Sequence, residues 1–231
     1  MIGVFDSGAG GVSAVLELSG LLPRENIVFL ADRKNAPYGT KSEAELLRLI
    51  RQNIRRLTRM GAGRILIACC TASALWQKLP EEERRITLPI ITLTVESIPR
   101  ETKRVAVIAT EYTVKSHAFG NAIKKLRPDI QVAEMPLQSL VRKVEIHRQD
   151  QGNSRLESLI LPELLRVDDL IKSTLADSLI LGCTHFSWLE SILKKRYPHL
   201  TILNPARLGA IRLATELSEQ KGEQGRVVYT Q

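Results

Sequence analysis

Two stretches of the sequence follow the same plan, and together they constrain the fold more than any other feature. In residues 64–75 a short apolar run ends in Cys69 and a helix-like segment follows. In residues 178–189 an apolar run ends in Cys183, again before a helix-like segment. Each is typical of a buried strand that brings a cysteine to the carboxyl edge of a parallel sheet, where ligands bind in open α/β folds. The repeat predicts two thiols that face one pocket.

Strands and helices are predicted to alternate along the chain. Apolar runs predict strands at 2–5, 27–31, 65–68, 88–93, 105–109, 130–133, 179–181, 201–203 and 227–230. Helical segments are predicted at 12–22, 42–60, 110–126, 156–175, 188–197 and 206–217; residues 95–102 are predicted as a connection, 136–146 as a loop or short helix, and 147–154 and 218–225 as polar turns. This alternation is typical of an α/β fold.

The recurrence of the cysteine unit indicates two similar halves. We expect each half to be a parallel-sheet α/β sandwich, with the active site in the cleft between them. The first half is placed at residues 1–97 plus 206–231, because the last helix is expected to cross back, and the second at 98–205.

The composition is that of an ordinary globular protein. Hydrophobic residues make up 44% of the 231 residues and charged residues 25%. No apolar run approaches the roughly 20 residues that span a bilayer, and no basic region precedes the first apolar residues, so we expect neither a membrane segment nor a secretory signal. Three cysteines, two of them adjacent, do not form a disulfide framework. We therefore expect a cytoplasmic protein.

The net charge of +8 permits attraction to nucleic acid or to an acidic protein without requiring it. Arginines at helical spacing form a basic stripe in residues 42–60: Arg48, Arg51, Arg55 and Arg59. The favoured interpretation is a solvated face opposite the apolar side of the helix, and the alternative is a docking surface for such a partner.

The paired thiols can carry acid–base chemistry. A free thiol has a pKa of about 8.5, and a helix N-terminus lowers it. We therefore expect one cysteine to act as a thiolate base while the other, as a thiol, donates a proton to the opposite face of the same carbon. The plainer alternative is that each cysteine packs as a small buried hydrophobe, but two matching strand ends favour chemistry. Cys69, Cys70, Cys183 and His185 lack the spacing of a zinc site, so a metal is not expected.

Other strand ends carry polar residues as well. The Gly-rich turn at residues 6–11 is either an anion site or the start of a helix capped by Asp6 or Ser7. Asp32 begins a loop that has ordinary turn chemistry. The remaining candidates also have plain interpretations: Thr110 and Thr113 as helix caps, and Glu145 as a surface carboxylate.

With these residues assembled, the chain resembles the glutamate racemases of the cofactor-independent aspartate/glutamate racemase superfamily. The matching motifs are IGVFDSGAGG at 2–11, Asp32 with PYGTKS at 37–42, ACCTAS at 68–73, VIATEYTVKS at 107–116 and LILGCTHF at 179–186. They run in the family's order over nearly the whole chain. DSGxGG together with PYG is similar to the glutamate branch rather than to the aspartate or hydantoin racemases.

This resemblance implies racemisation of glutamate by two bases without pyridoxal phosphate, to supply D-glutamate for peptidoglycan. Cys69 would take the α-proton of D-glutamate, and Cys183 that of L-glutamate. The resemblance assigns the groups beside the thiols to Asp6, His185 and Glu145. It assigns the substrate contacts to Asp6, Ser7, Tyr38, Gly39, Cys70, Thr71, Thr184 and His185.

Three features depart from the family pattern. Cys70 stands where the family usually has Asn, and a thiol is a weaker hydrogen-bond donor than an amide. The segment before Glu145 is longer than usual, and the chain ends where family members continue into a further helix. These departures keep open an altered substrate choice, such as aspartate, or an inactive or moonlighting binding protein, for example a DNA gyrase inhibitor. A homodimer would also fit the family.

Overall fold

The computed structural model describes residues 1–147, 154–217 and 227–230. Over these residues the strands are β1 (Ile2–Asp6), β2 (Ile27–Ala31), β3 (Arg64–Ile67), β4 (Thr87–Pro89), β5 (Arg104–Ala109), β6 (Gln131–Pro136), β7 (Ser178–Gly182), β8 (Thr201–Leu203) and β9 (Val227–Thr230). The helices are α1 (Val12–Leu21), α2 (Glu43–Arg59), α3 (Cys70–Ser73), α4 (Glu81–Ile86), α5 (Ile90–Glu96), α6 (Glu111–Lys115), α7 (Ala118–Leu126), α8 (Gln138–His147), α9 (Ser154–Leu159), α10 (Leu161–Thr174), α11 (Glu190–Arg196) and α12 (Pro205–Leu217).

The strands form two parallel sheets, in the orders β4-β3-β1-β2-β9 and β6-β5-β7-β8. In the first sheet β1 pairs with both β2 and β3, and Asp6 at its end lies opposite Ala31. In the second sheet β5 pairs with β7, and Ala109 lies opposite Gly182. Each sheet therefore gathers several strand ends at one edge. The predicted α/β fold with two halves is confirmed.

Three apolar clusters fill the space around the sheets. The central cluster combines residues of both sheets with α1, α5, α7 and α12. A second cluster packs α8 and α10 against the outer face of the second sheet, and a third packs α2 against the outer face of the first. Because the strands are covered on both faces, β1, β2 and β7 are buried along their whole length.

Helix α2 has the predicted amphipathic character. Ser42 caps its start by accepting a hydrogen bond from the backbone N–H of Glu45 at 3.3 Å. Its arginine stripe lies on the exposed side, as expected, but two members are paired: Arg51 and Arg55 lie 3.0 and 3.7 Å from Glu83. This pairing favours the interpretation as a solvated face.

The strand predicted at residues 88–93 is wrong. Only β4 is extended, and the chain turns at Pro89 into helix α5, which also takes up the start of the connection predicted at 95–102. Ser73 accepts the backbone N–H of Ile91 at 3.1 Å, and Thr94 donates to the carbonyl of Ile90 at 2.7 Å. A short apolar run has the same pattern in a buried helix as in a buried strand, and here packing decides for the helix.

Two predicted helices are each split in two. Residues 110–126 break into α6 and α7 at His117, which has a left-handed backbone with φ of 50°. Residues 156–175 break between α9 and α10, where Pro162 lacks the N–H that would continue the first helix. The segment predicted as a loop or short helix at 136–146 is helical from residue 138, as part of the ten-residue helix α8.

The chain returns to the first sheet at its end. The predicted last strand is present as β9, which pairs with β2, and α12 packs against α1 and α5. The division at residues 97 and 206 stays a prediction. Of the predicted polar turn at 147–154, residues 148–153 lie outside the described residues, and so does the whole predicted turn at 218–225. Of the helices that the structure describes, none is long and apolar enough to cross a membrane.

Candidate active site

The first cysteine lies where the end of the first sheet meets a helix. Cys69 follows β3 by two residues and precedes α3, and its Sγ donates to Ser7 Oγ at 3.5 Å. Asp6, at the end of the neighbouring strand β1, is fully buried. One of its oxygens accepts the backbone N–H of Gly8 at 2.8 Å. The parallel register of β1 and β3 thus places a carboxylate near the thiol.

The second cysteine occupies the matching place in the second half. Cys183 follows β7 directly, and its Sγ lies 3.7 Å from Nδ1 of His185. Between them in sequence, Thr184 donates from Oγ1 to the second oxygen of Asp6 at 3.0 Å. Asp6 therefore bonds to both halves and holds the two strand ends against each other.

Both thiols line one small cavity, of about 50 Å³. The predicted site residues on its wall are Ser7, Tyr38, Gly39, Cys69, Cys70, Thr71, Glu145, Cys183, Thr184 and His185. Asp6 is the exception, since it lies behind the wall and reaches the cavity through Thr184. Glu145, in the segment of unusual length, is brought to the site by α8. A larger and more open cavity of about 900 Å³ adjoins this one and shares Glu145, Val141 and Pro37 with it.

The expected lowering of the thiol pKa by a helix N-terminus is not seen in this structure. Burial, together with the charge of the Asp6 carboxylate, raises the pKa of Cys69 to about 11. Backbone N–H groups at Ala72 and Ser7 oppose this shift but are outweighed. Burial likewise raises the pKa of Cys183 and of Cys70. The prediction was wrong because the two halves enclose the thiol and exclude water from it. The loss of hydration destabilises the thiolate more than the N-terminus of a short helix stabilises it.

The acidic partners surround His185. Burial raises the pKa of Asp6, and the charge of His185 opposes that rise. On the other side of the ring, Nε2 lies 3.9 Å from Glu145 and has no hydrogen-bond partner among the described residues. The imidazole thus lies between the Cys183 thiol and a half-exposed carboxylate, in a position to hold a proton or pass it on.

The Tyr38 hydroxyl is held by groups behind the cavity. It donates to Asp32 Oδ2 at 2.6 Å and accepts from Asn53 Nδ2 at 2.9 Å. Burial and the Asp32 carboxylate raise the pKa of Tyr38, so it stays neutral. The sequence analysis treated Asp32 as turn chemistry and missed Asn53. The signal was present, because Asn53 falls on the apolar side of α2 among leucines and isoleucines, where a polar residue needs a partner.

Two further residues with polar side chains line the cavity but were not predicted as site residues. Thr110 was interpreted as a cap, and it does accept the N–H of Thr113 at 3.3 Å, but its side chain also lies on the cavity wall. Gln138, at the start of α8, lies there as well. No group of three or more His, Cys, Asp or Glu side chains that could hold a metal occurs in the described part of the chain.

The comparisons with known proteins agree with this geometry. A model of the Asp/Glu/Hydantoin racemase family matches residues 26–212. A glutamate racemase from Limosilactobacillus reuteri (strain DSM 20016) is 34% identical over 227 residues, which is 96% of this chain and 82% of that protein. The crystal structure of glutamate racemase from Francisella tularensis in complex with D-glutamate has a TM-score of 0.84 and 30% identity, covering 100% of this chain and 88% of the other. The crystal structure of a glutamate racemase isoform from Bacillus anthracis has a TM-score of 0.79 and 27% identity, covering 99% of this chain and 87% of the other. The chain belongs to the Asp/Glu/Hydantoin racemase family and is an amino-acid racemase.

Proposed function

We propose that this protein interconverts L- and D-glutamate without a cofactor, and that Cys69 and Cys183 exchange the proton at Cα. The observation that carries the proposal is that the two thiols, one from each half, line the same enclosed cavity. Glutamate as the substrate is supported by the glutamate racemases among the relatives and by the Francisella structure that contains D-glutamate.

The proposed reaction balances with one proton removed and one returned. With D-glutamate bound, the Cys69 thiolate takes the Cα proton and leaves a carbanion. The Cys183 thiol then gives its proton to the opposite face, so the product is L-glutamate and the thiolate now resides at Cys183. The reverse reaction uses the same groups in opposite roles. Because burial raises both thiol pKa values, the cationic ammonium group of the substrate is needed to favour the thiolate.

Each thiol has its own supporting groups. Ser7 accepts the S–H of Cys69, and Asp6 keeps its carboxylate charge close to that thiol. His185 Nδ1 lies beside the Cys183 sulfur and orients it, and Glu145 faces the other nitrogen of the ring. These contacts support acid–base roles for Asp6, His185 and Glu145 in the proposed reaction.

The remaining wall residues bind the substrate in this proposal: Ser7, Tyr38, Gly39, Cys70, Thr71 and Thr184. A carbanion beside a carboxylate is stabilised by fixed hydrogen-bond donors in a cavity that excludes water. We place the activity in a bacterial cytoplasm, where D-glutamate is incorporated into peptidoglycan precursors. We also propose that the two halves comprise residues 1–97 plus 206–231 and 98–205.

Proton exchange at Cα tests the function directly. The pure protein is incubated with L-glutamate, and separately with D-glutamate, in D₂O without added cofactor. Circular dichroism follows inversion while NMR follows the loss of the α-proton signal. We expect inversion with deuterium incorporation from both enantiomers. A clear preference for aspartate in the same assay would overturn the assignment of glutamate as the substrate. If neither amino acid shows inversion or exchange, a binding protein on the same scaffold is favoured.

Removing either thiol tests the two-base mechanism. We expect Cys69→Ala and Cys183→Ala each to lower the rate of racemisation by a factor of about 1000 or more, because each direction needs both a base and an acid. Cys70→Ala is the matched control, since it removes a neighbouring buried thiol that contacts the substrate but takes no part in the proton transfer, so its effect should fall on KM rather than on kcat. Turnover retained in either of the first two variants would refute the mechanism.

A further inference from the structure

Gln138 lies at the boundary between the small cavity and the larger, more open one. It is the first residue of α8, and its side chain lines both cavities. Cys69 and Cys183 line only the small cavity. Gln138 therefore marks the mouth of the small cavity, beside any part of a substrate that extends outwards from the thiols.

The oxygen of the Gln138 side chain lies against both halves of the molecule. It accepts the backbone N–H of Glu111, the first residue of α6, at 3.3 Å. From the first half, Gly39 comes so close that a Cβ atom there would lie 2.9 Å from the same oxygen and 3.2 Å from the Cβ atom of Thr110. The glycine at position 39 therefore leaves the room that the amide occupies.

The nitrogen of the same amide is a donor without a protein partner. A side-chain amide has an oxygen that accepts and a nitrogen that carries two hydrogens, and only the oxygen can accept the N–H of Glu111. The contact with α6 thus fixes which end of the amide is which. Among the described residues the nitrogen of Gln138 has no hydrogen-bond partner. Both of its hydrogens remain available at the mouth of the cavity.

The groups of glutamate can be placed relative to this donor. Cα must lie between Cys69 and Cys183 for proton transfer, and the α-carboxylate, which is bonded to Cα, stays near the thiols. The ammonium group is drawn towards the inner wall, because the Asp6 carboxylate lies behind Thr184 there. The γ-carboxylate is carried away from Cα by two methylene groups, so it is the charged group that can reach the mouth.

We propose that Gln138 is a substrate-binding residue, whose side-chain amide donates a hydrogen bond to the γ-carboxylate of glutamate and thereby favours glutamate over the shorter aspartate. The inference rests on the proposed function and deepens it, because it names a residue that senses the length of the substrate's side chain. Gln138 also supplies an amide donor to a cavity in which Cys70 offers only a thiol.

Two substitutions separate this donor from the contact with α6. Gln138→Glu keeps an oxygen that accepts the N–H of Glu111 and replaces the donor by a charged oxygen. Gln138→Met has a similar length and removes both ends of the amide without adding charge. Gln77→Glu is the matched control for the added charge, because Gln77 is an exposed glutamine that is absent from the described lining of both cavities.

Steady-state racemisation of D- and L-glutamate is measured for each variant. For Gln138→Met we expect KM to rise about tenfold with kcat changed less than about threefold, because the γ-carboxylate is bound alike in the ground state and the transition state. For Gln138→Glu we expect KM to rise about 100-fold, because two carboxylates then face each other. Gln77→Glu should keep both constants within about twofold of the wild type.

Two further amino acids test which part of the substrate the amide contacts. Glutamine has a neutral carboxamide in place of the γ-carboxylate and can donate to a glutamate at position 138, so its inhibition constant should not rise in Gln138→Glu. Aspartate does not reach the amide, so its KM or inhibition constant should change less than about threefold in Gln138→Met.

Several results would overturn the proposal and leave Gln138 as a structural contact of α6. These are an unchanged KM for glutamate in Gln138→Met, equal losses of glutamate and glutamine binding in Gln138→Glu, and equal losses of glutamate and aspartate binding in Gln138→Met. If the methionine variant does not unfold cooperatively on heating, Gln138→Ala replaces it in the same comparison.

Failure of this inference can be distinguished from failure of the proposed function. A wild type that neither binds nor racemises glutamate would refute both. A wild type that binds glutamate without racemising it would refute the function alone, and the dissociation constants of the same variants from isothermal titration calorimetry would then test the contact. An active wild type with unaffected variants at position 138 would refute only the role of Gln138.

Discussion

Position 70 is where single-residue chemistry separates this chain from the pattern that it otherwise matches. Cys70 is buried, lines the cavity and packs into the central apolar cluster. An amide there would offer two hydrogen-bond donors, whereas the thiol offers one weak donor. We expect Cys70→Asn to lower KM for glutamate several-fold, and Cys70→Ala to leave it within about threefold of the wild type. Racemisation assays at several glutamate concentrations measure both; loss of activity in the alanine variant would make Cys70 a catalytic group.

The buried thiols also give the protein a pH-dependent stability. The pKa of Cys70 is raised well above its usual value by burial, so the native state keeps the proton while the unfolded chain releases it above about pH 8.5. The native state then binds more protons, and the free energy of unfolding falls as pH rises, by up to about 1.4 kcal/mol per pH unit for each such thiol.

Chemical denaturation from about pH 8 to about pH 10 under reducing conditions measures this slope. We expect Cys70→Ala to lose stability less steeply than the wild type over that range. The comparison of slopes removes the contribution of tyrosines and lysines, which both proteins share. Parallel curves would show that the thiol at position 70 ionises as readily in the folded as in the unfolded state.

For single residues, the sequence predicted which side chains lie close together but not how deeply they are buried. Cys69 and Cys183 could be paired because both follow apolar runs, and strand ends of parallel sheets share an edge. The direction of their pKa shifts could not be predicted, since it depends on how completely the opposite half covers them. Asn53 was missed for a related reason: it lies in α2, whereas its partners Asp32 and Tyr38 lie in the segment between β2 and that helix.

Among the elements, the end of α10 carries backbone strain that one substitution can remove. Leu175 follows the last helical residue in a left-handed conformation with φ of 51°, and its side chain is 67% exposed. Left-handed backbone costs a residue with a Cβ atom about 1 kcal/mol, and glycine adopts it freely. We expect Leu175→Gly to raise the free energy of unfolding by about 1 kcal/mol.

The control for this substitution lies in the same helix. Leu165 is 52% exposed within α10, where the backbone is right-handed. Leu165→Gly should therefore lower the free energy of unfolding by about 1 kcal/mol, since glycine weakens a helix interior. Urea denaturation of both variants provides the test, and destabilisation by both would mean that the exposed leucine at 175 contributes packing that exceeds its strain.

The elements themselves were predictable to different degrees. Strands and long helices were found from sequence because each has its own apolar period, as α2 illustrates. Helix α5 was predicted as a strand because its run of isoleucine, threonine, leucine and valine has strand propensity, which the tertiary packing between sheets overrides. The break at His117 was missed because the residue there is neither the glycine nor the asparagine that a left-handed position favours.

At the scale of the whole molecule, the cavity with both thiols exists only while the two halves are in contact, because each half supplies part of its wall. The cavity of about 50 Å³ is smaller than an amino acid, so we expect the walls to separate when the substrate enters. Two polar contacts join the halves beside the cavity. Asp6 accepts from Thr184, and Thr71 Oγ1 on α3 lies 3.1 Å from Thr110 Oγ1 at the start of α6.

Close backbone approach at Gly10 completes this contact. A Cβ atom placed on Gly10 would overlap Thr184 Oγ1 and would lie 2.9 Å from the backbone nitrogen of His185, so a methyl group there acts as a wedge between the halves. The first half would keep its own core while the two thiols moved apart. Misplacement of catalytic groups by about 1 Å can cost a factor of about 100 in rate.

We therefore expect Gly10→Ala to lower kcat/KM for racemisation about 100-fold or more while the protein stays folded. Gly20→Ala is the matched control, because this exposed glycine of α1 has no atom of the described residues within 4 Å of its added Cβ. The control should keep full activity and gain up to about 1 kcal/mol of stability. Thermal unfolding and racemisation kinetics are measured for both variants. A loss of activity without a loss of cooperative unfolding in Gly10→Ala indicates displacement of the halves rather than a general loss of structure. Near-normal activity in Gly10→Ala would mean that the halves adapt to the methyl group and that their tight contact is not required for proton transfer.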